Sequence, residues 1–440
     1  MLRMLPAILA TIAMLGGASP PAAVNPRLLE QGQDPVELLK PWMDRAPIWK
    51  SRYYDIKSDL PKEELREYAA HLDATFEAYR RRLSSLRQNL PASFNVMIFA
   101  KRSDYETTLR YNFSINAAGT GGMFFHNPRG SALAIWTEGL PRPRVHHVIQ
   151  HEGFHQVAFA LFQDNLPPWV NEGLAEFFGE GVMVDGQLII GQTNPRVIAA
   201  IKEAIETKAY IPFLQMLTMD GTAWNANVSN GSAKMQYEQA WSMVHFLVYG
   251  EGGKYAEEFS DFLRYLNVGM VQYDAFVRAF GTDNIDGFER RWIEFAQNAR
   301  PSSFTTAMER AEFLAAGLKA LSVRGTYPET IDDLRDQLRL INFTYTMSEH
   351  GIETTLSAAD DAMFNIPPDD LLKEDDRAPK FNLRTTETRG MSYRERQLNL
   401  EYPVPSTLET EGLRPHNLEV KWIRDLDKNE FVFEVVVKRE

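Results

Sequence analysis

Twenty residues, Arg144 to Gln163 (RVHHVIQHEGFHQVAFALFQ), constrain this chain more than any other stretch. Val145, Val148, Ile149, Phe154, Val157, Ala158, Leu161 and Phe162 recur at three- and four-residue steps. That is helical periodicity with an unusually wide apolar surface, which predicts one largely buried helix. His151 and His155 stand four residues apart, one turn along the same face. Two imidazoles so placed can bind one Zn²⁺ from the same side; the competing reading is a satisfied core pair. Glu152 lies about 100° round the helix. From there a carboxylate reaches a water at the ion without becoming a ligand.

A third ligand would decide between the two readings. Fourteen residues beyond His155, Trp169-Val-Asn171-Glu172-Gly-Leu-Ala-Glu176 reads as a second, shorter helix. Pro167 and Pro168 open it, and Gly179 and Gly181 end it. Glu172 and Glu176 are again i and i+4 on one face. Carboxylates beside Trp169, Leu174, Phe177 and Phe178 are expensive to bury unless paired or metal-bound. Spacing alone does not say which of the two is the ligand. His147 continues the histidine series but lies eight residues from His155, about 12 Å along a helix. That is too far for both to hold one ion, so a supporting or core role is expected of it.

At these residues the chain resembles the gluzincins, the thermolysin and aminopeptidase N superfamily of zinc metallopeptidases, and within it the bacterial peptidase MA-like domains. The likeness rests on His151-Glu152-x-x-His155 followed by Trp169-x-Asn171-Glu172-Gly173-x-Ala175-Glu176, and with flanking pattern covers roughly Tyr53 to Ala299. The resemblance implies that Glu172 is the third zinc ligand and that Glu176 orients a ligand histidine from behind, with Asn171 beside it. It also implies an edge strand next to the metal along which a peptide pairs by strand addition. Gly121–Phe125 and Ala132–Trp136, either side of the turn at Asn127–Gly130, are the two candidates for that strand. Finally, Gln236-Tyr237-Glu-Gln-Ala-Trp is similar to the aminopeptidase helix whose tyrosine hydroxyl donates to the oxyanion. Tyr237 would then stabilise the transition state; the alternative is a tyrosine capping a core helix.

Composition sets broader limits. The chain has 440 residues, 44% apolar and 24% charged, enough for two domains with sizeable cores. A net charge of −12 with no basic stripe argues against nucleic-acid binding. Cysteine is absent, which excludes disulfides, thiolate zinc sites, a cysteine nucleophile and a lipidated cysteine. Residues 1–23 read as a secretory signal, with Arg3, an apolar core from Leu5 to Leu15 and a small-residue exit to Ala23. The apolar run is shorter than the ~20 residues a spanning helix needs; an uncleaved anchor is the competing reading. The expectation is an exported, periplasmic or extracellular protein with no stable membrane insertion after signal cleavage.

The remaining pattern predicts an α+β fold. Residues 24–50 read as a linker with one short helix. Residues 51–300 would form the gluzincin-like domain: strands at Arg52–Lys57 and Ser93–Ala100, a long helix over Lys62–Leu86, the 121–136 hairpin, then mostly helices. Asp220–Ser232 reads as a turn-rich lid. Residues 301–440 would be a smaller α+β domain of unassigned role, with helices at Ala307–Leu321 and Ile331–Leu340. Its strands are expected at Asn342–Thr346, Gln397–Tyr402, Leu418–Ile423 and Glu430–Lys438, and Asp369–Asp376 reads as an acidic loop.

Together these readings predict a zinc metallopeptidase. His151, His155 and Glu172 hold the ion, Glu152 is the general base and Tyr237 the oxyanion donor. The substrate would be a peptide or protein. No motif like the aminopeptidases' free-amine anchor is present, which favours an endopeptidase. The alternative is a catalytically inactive metal-binding scaffold whose C-terminal domain binds a partner. Oligomeric state is not legible.

Overall fold

The structure, a computed structural model, describes residues 41–86, 90–184, 186–229, 234–349, 352–368, 378–384, 403–425 and 430–438. The expected signal segment, residues 24–40 of the expected linker, 230–232 of the expected lid, the acidic stretch Asp369–Asp376 and the Gln397–Tyr402 strand lie outside these residues. The architecture is α+β, in two compact units: residues up to 191 with 196–299, and 192–195 with the residues from 300 on. Among the described residues no helix is long and apolar enough to cross a membrane.

The first unit is built on a five-stranded sheet ordered β1-β2-β3-β5-β4. The strands are β1 (Ile48–Lys50), β2 (Tyr54–Ser58), β3 (Phe94–Phe99), β4 (Gly122–Asn127) and β5 (Gly130–Trp136). β2, β3 and β5 run parallel, and β1 and β4 are antiparallel edges. Strand alternation divides the side chains between two cores. Val96, Ile98, Leu133 and Ile135 face one, and Met97, Phe99, Ala132, Ala134 and Trp136 the other.

The helix Lys62–Arg82 joins β2 to β3 and lies on the first face. It buries Leu65, Tyr68, Ala69, Leu72, Phe76 and Tyr79, the stripe its periodicity picks out. The second face is closed by Tyr105 and Leu109 of the helix Arg102–Phe113 and by Trp42, whose ring stacks on Phe99 at 4.0 Å. Residues 41–50, the described part of the expected linker, are therefore folded, and they include its one short helix. Trp42 sits in a four-residue helix, Arg45 pairs with Asp59 and Asp104 at 2.9 and 2.5 Å, and β1 pairs with β2. One aromatic and a three-residue strand are too brief to leave a periodic signal.

The central helix Arg142–Phe162 (the histidine helix) packs on the first face. After it come Pro168–Gly179 (the glutamate helix), a hairpin of β6 (Val182–Val184) and β7 (Gln187–Ile189), and helices ending at Asn298. The expected lid is instead a helix over Gly221–Ser229: Asp220 caps it by accepting from Ala223 N–H at 2.8 Å, and Trp224 is buried in the main core. An aromatic that can be buried outweighs the turn-forming residues around it.

Three histidines of this unit are held neutral. Burial lowers His146 and His245 to about 4, and burial with the neighbouring His146 holds His71 well below its usual range. Once unfolded, each takes up a proton near pH 6.5. Their stabilisation is therefore complete above about pH 6.5 and is lost as pH falls; for His146 and His245 the loss runs towards pH 4 and is on the order of 3 kcal/mol each. Thermal melts should show that decline, and His245→Phe, in a site already walled by Phe177, Trp241 and Phe295, should make it shallower.

The second unit has the helix Ser303–Ser322, capped by Ser302, which accepts from Thr305 N–H, and the helix Ile331–Leu340, capped by Thr330, which accepts from Asp333 N–H. Its strands form a hairpin, β8 (Thr344–Glu349) with β9 (Ile352–Ser357), and an antiparallel sheet in sequence order. That sheet comprises β10 (Lys380–Arg384), β11 (Thr407–Glu411), β12 (Leu418–Asp425) and β13 (Glu430–Val437). The long β12–β13 pairing matches the expected hairpin, whereas β9, β10 and β11 carry too little apolar alternation to be read in advance.

Candidate metal centre

The histidine helix is buried almost throughout, from Val145 to Phe162, because sheet, long helix and glutamate helix all pack on it. His151, Glu152 and His155 are all within it, at 1%, 0% and 6% exposure. The glutamate helix presents Glu172 and Glu176, both buried, to the same side. His151 Nε2 and His155 Nε2 stand 3.1 Å apart, and Glu172 Oε2 lies 3.5 and 3.3 Å from them. The centre of that triangle is about 1.9 Å from each corner, close to a zinc–nitrogen or zinc–oxygen bond length.

The other ring nitrogens explain why these three point inward. His155 Nδ1 donates to Asn171 Oδ1 at 3.1 Å, and His151 Nδ1 lies 3.3 Å from Glu176 Oε1. The proton held at His155 Nδ1 leaves its Nε2 lone pair facing Glu172, and the Glu176 carboxylate beside His151 Nδ1 favours the same tautomer there. Glu172 Oε2 has no hydrogen-bond partner there, and a buried carboxylate oxygen left so is costly without a cation. The donor set thus fits a divalent ion. Geometry separates the two glutamates that spacing left equal: Glu172 completes the triangle, and Glu176 stands behind His151.

A second buried group, His147, His151 and Glu176, could also hold a metal ion. It shares His151 through that residue's far nitrogen, and His147 Nε2 is 3.8 Å from Glu176 Oε2. The first group is the tighter of the two, with all three donor separations at 3.5 Å or less.

Electrostatics agree with this assembly. Burial alone would lower His151, but Glu176 and Glu172 outweigh it and raise it well above its usual range. Against its own burial, Glu172 is held down to about 2 by His155 and His151. Burial raises Glu152, whose Oε2 accepts the Phe124 backbone N–H of β4 at 2.8 Å while its Oε1 has no hydrogen-bond partner. β4, not β5, is therefore the edge strand beside the site.

Tyr237 belongs to the helix Lys234–Gly253, which crosses the glutamate helix very closely. A Cβ on Gly173 would stand 2.5 Å from the Ala240 carbonyl oxygen, so only glycine permits the contact. Tyr237 precedes Ala240 by three residues and is brought near the carboxylates by the same crossing. Burial, then Glu172, holds its hydroxyl protonated well above the usual range, with Trp224 pulling the other way. Gly173→Ala should cost about 2–3 kcal/mol by overpacking and should weaken any divalent-metal binding by displacing Glu172. Thermal melts and a zinc titration would read the two effects separately.

A family described only as a protein of unknown function, DUF1570, matches residues 146–268. That span holds His151, His155, Glu172 and Tyr237, and it leaves out β4 and everything from residue 269 on. No curated protein matches the chain.

Two supporting residues escaped the sequence reading. The Gln150 side-chain amide donates to the carbonyls of Phe178, Gly179 and Gly181 at 2.8, 2.9 and 2.8 Å, and its oxygen meets His71 Nε2 at 3.0 Å. It ties the free carbonyls at the end of the glutamate helix to the residue before His151. Tyr79 donates to the Gln150 backbone carbonyl, and its hydroxyl would stand 3.1 Å from a Cβ on Gly153. The glycine inside the histidine motif is the space that hydroxyl occupies. A polar Gln150 in so apolar a helix was the one available signal.

Proposed function

We propose that the protein is a zinc-dependent peptidase. The observation that carries this reading is the convergence of His151 Nε2, His155 Nε2 and Glu172 Oε2, with the unpartnered Glu152 Oε1 in the same buried site. A zinc ion bound there would act as a Lewis acid and lower the pKa of water towards neutrality. Glu152, anchored through its other oxygen by Phe124 N–H, accepts the proton of the attacking water and passes it to the departing amine. Tyr237, kept protonated, donates to the oxyanion of the tetrahedral intermediate. Asn171 and Glu176 hold the two imidazoles in the tautomer the reaction needs.

β4 is an edge strand, and outside the Phe124 N–H that Glu152 takes it leaves room for an extended peptide to pair through its backbone, which suits substrates of varied sequence. An endopeptidase acting outside the cytoplasm follows from that breadth and from the signal-like first 23 residues. Incubating the zinc-loaded full chain with a generic peptide library, with and without chelator, tests the proposal. New chelator-sensitive termini in the mass spectrum are expected. An uncut library would leave a metal-binding scaffold in its place.

A further inference from the structure

An aromatic cluster beside Glu152 is not used by this chemistry. Met123 and Phe125 of β4 face the second core, so Gly122, Phe124 and His126 face the histidine helix. There the Phe124 ring lies 5.8 Å from Phe159, and the His126 ring 4.3 Å from it. Phe159 is one turn beyond His155. Phe124 and Phe159 are half-buried and His126 is exposed, and none of the three belongs to either core of the unit. Two phenyl rings and an imidazole thus make a partly open ledge centred on Phe159, and Phe124 hydrogen-bonds the proposed base through its own backbone. Apolar surface left partly open beside a buried polar site is a place where a ligand's apolar group can dock.

We infer that this ledge selects the substrate: it receives an aromatic or long aliphatic side chain of a peptide lying along β4. The inference rests on the peptidase reading. On an added strand, alternate side chains face the histidine helix, and one of them falls in line with Phe124 and His126. That side chain would bury its apolar surface against Phe159, whereas a charged or small one would gain little. Replacing that side chain with alanine should then cost about 10- to 100-fold in kcat/KM.

Two readouts keep the inference separate from the catalytic proposal. In the first, the peptide library is digested by wild type, Phe159→Ala and Phe159→Leu. Cut sites should carry Phe, Tyr, Trp, Leu or Met at one fixed distance from the scissile bond. Phe159→Ala should lose that enrichment about tenfold, and Phe159→Leu should retain it for aliphatic residues. In the second, zinc-loaded Glu152→Gln is titrated with fluorescein-labelled Gly-Gly-Phe-Gly-Gly-amide and its Ala counterpart. The Phe peptide should bind about tenfold tighter, and Phe159→Ala should abolish the difference. Cleavage with no apolar preference, or a preference that survives Phe159→Ala, overturns the ledge and leaves the peptidase. Discriminating binding without cleavage by wild type overturns the peptidase and leaves the ledge. Neither cleavage nor binding overturns both.

Discussion

Glu152→Gln should keep one zinc per chain and lose about 10²- to 10⁴-fold in peptide hydrolysis, the usual contribution of a positioned general base. The substituted amide has nearly the same shape, and its oxygen can still accept the Phe124 N–H that fixes the side chain at 2.8 Å. What disappears is the second carboxylate oxygen, Oε1, which has no hydrogen-bond partner and is therefore the one able to take a proton from water. Glu152 is not a corner of the donor triangle, so metal stoichiometry by mass spectrometry should match wild type. Retained zinc with lost turnover is the signature of a base. Unchanged turnover would remove Glu152 from that role and the proposed chemistry with it.

Zinc should also stabilise the fold, and Glu172→Ala should abolish that effect. Metal at about a thousand times its dissociation constant contributes roughly 4 kcal/mol through binding to the native state alone. For a unit of this size that corresponds to a rise in Tm on the order of 10 °C. Glu172 supplies the one charged corner of the triangle, 3.3 and 3.5 Å from the two imidazole nitrogens. Without it the remaining pair are neutral donors from one helix, too few to grip the ion against water. Differential scanning calorimetry of both proteins, with chelator and with zinc, reads the effect directly. A zinc response that survives in Glu172→Ala would move the ion elsewhere, and the group of His147, His151 and Glu176 would then be the place to look.

How much of this was legible in the sequence depends on distance along the chain. His151 with His155, and Glu172 with Glu176, are pairs within one helix, so spacing alone aligned them. The partners Asn171 for His155 and Glu176 for His151 needed a second helix in register, which periodicity does not provide. Phe124 reaching Glu152, and Gln150 reaching Phe178, depend on packing between segments 28 residues apart. The sheet was harder still. β1 is only three residues long, and β9, β10 and β11 are short, largely polar strands defined by their neighbours, so no local pattern distinguishes them from loop. The supposed lid failed for the opposite reason: Gly, Asn and Ser marked a turn, but burial of Trp224 made a helix of it.

The three donors converging at the centre all come from the 22 residues between His151 and Glu172, on two helices joined by a short connection. Closing so small a loop costs little chain entropy, and such neighbouring contacts are the quickest to form. On the proposed reading, capture of an ion would come early, as this helical hairpin leaves the ribosome, before Tyr237 has arrived. The nascent chain would then hold its metal before the rest of the proposed site had formed.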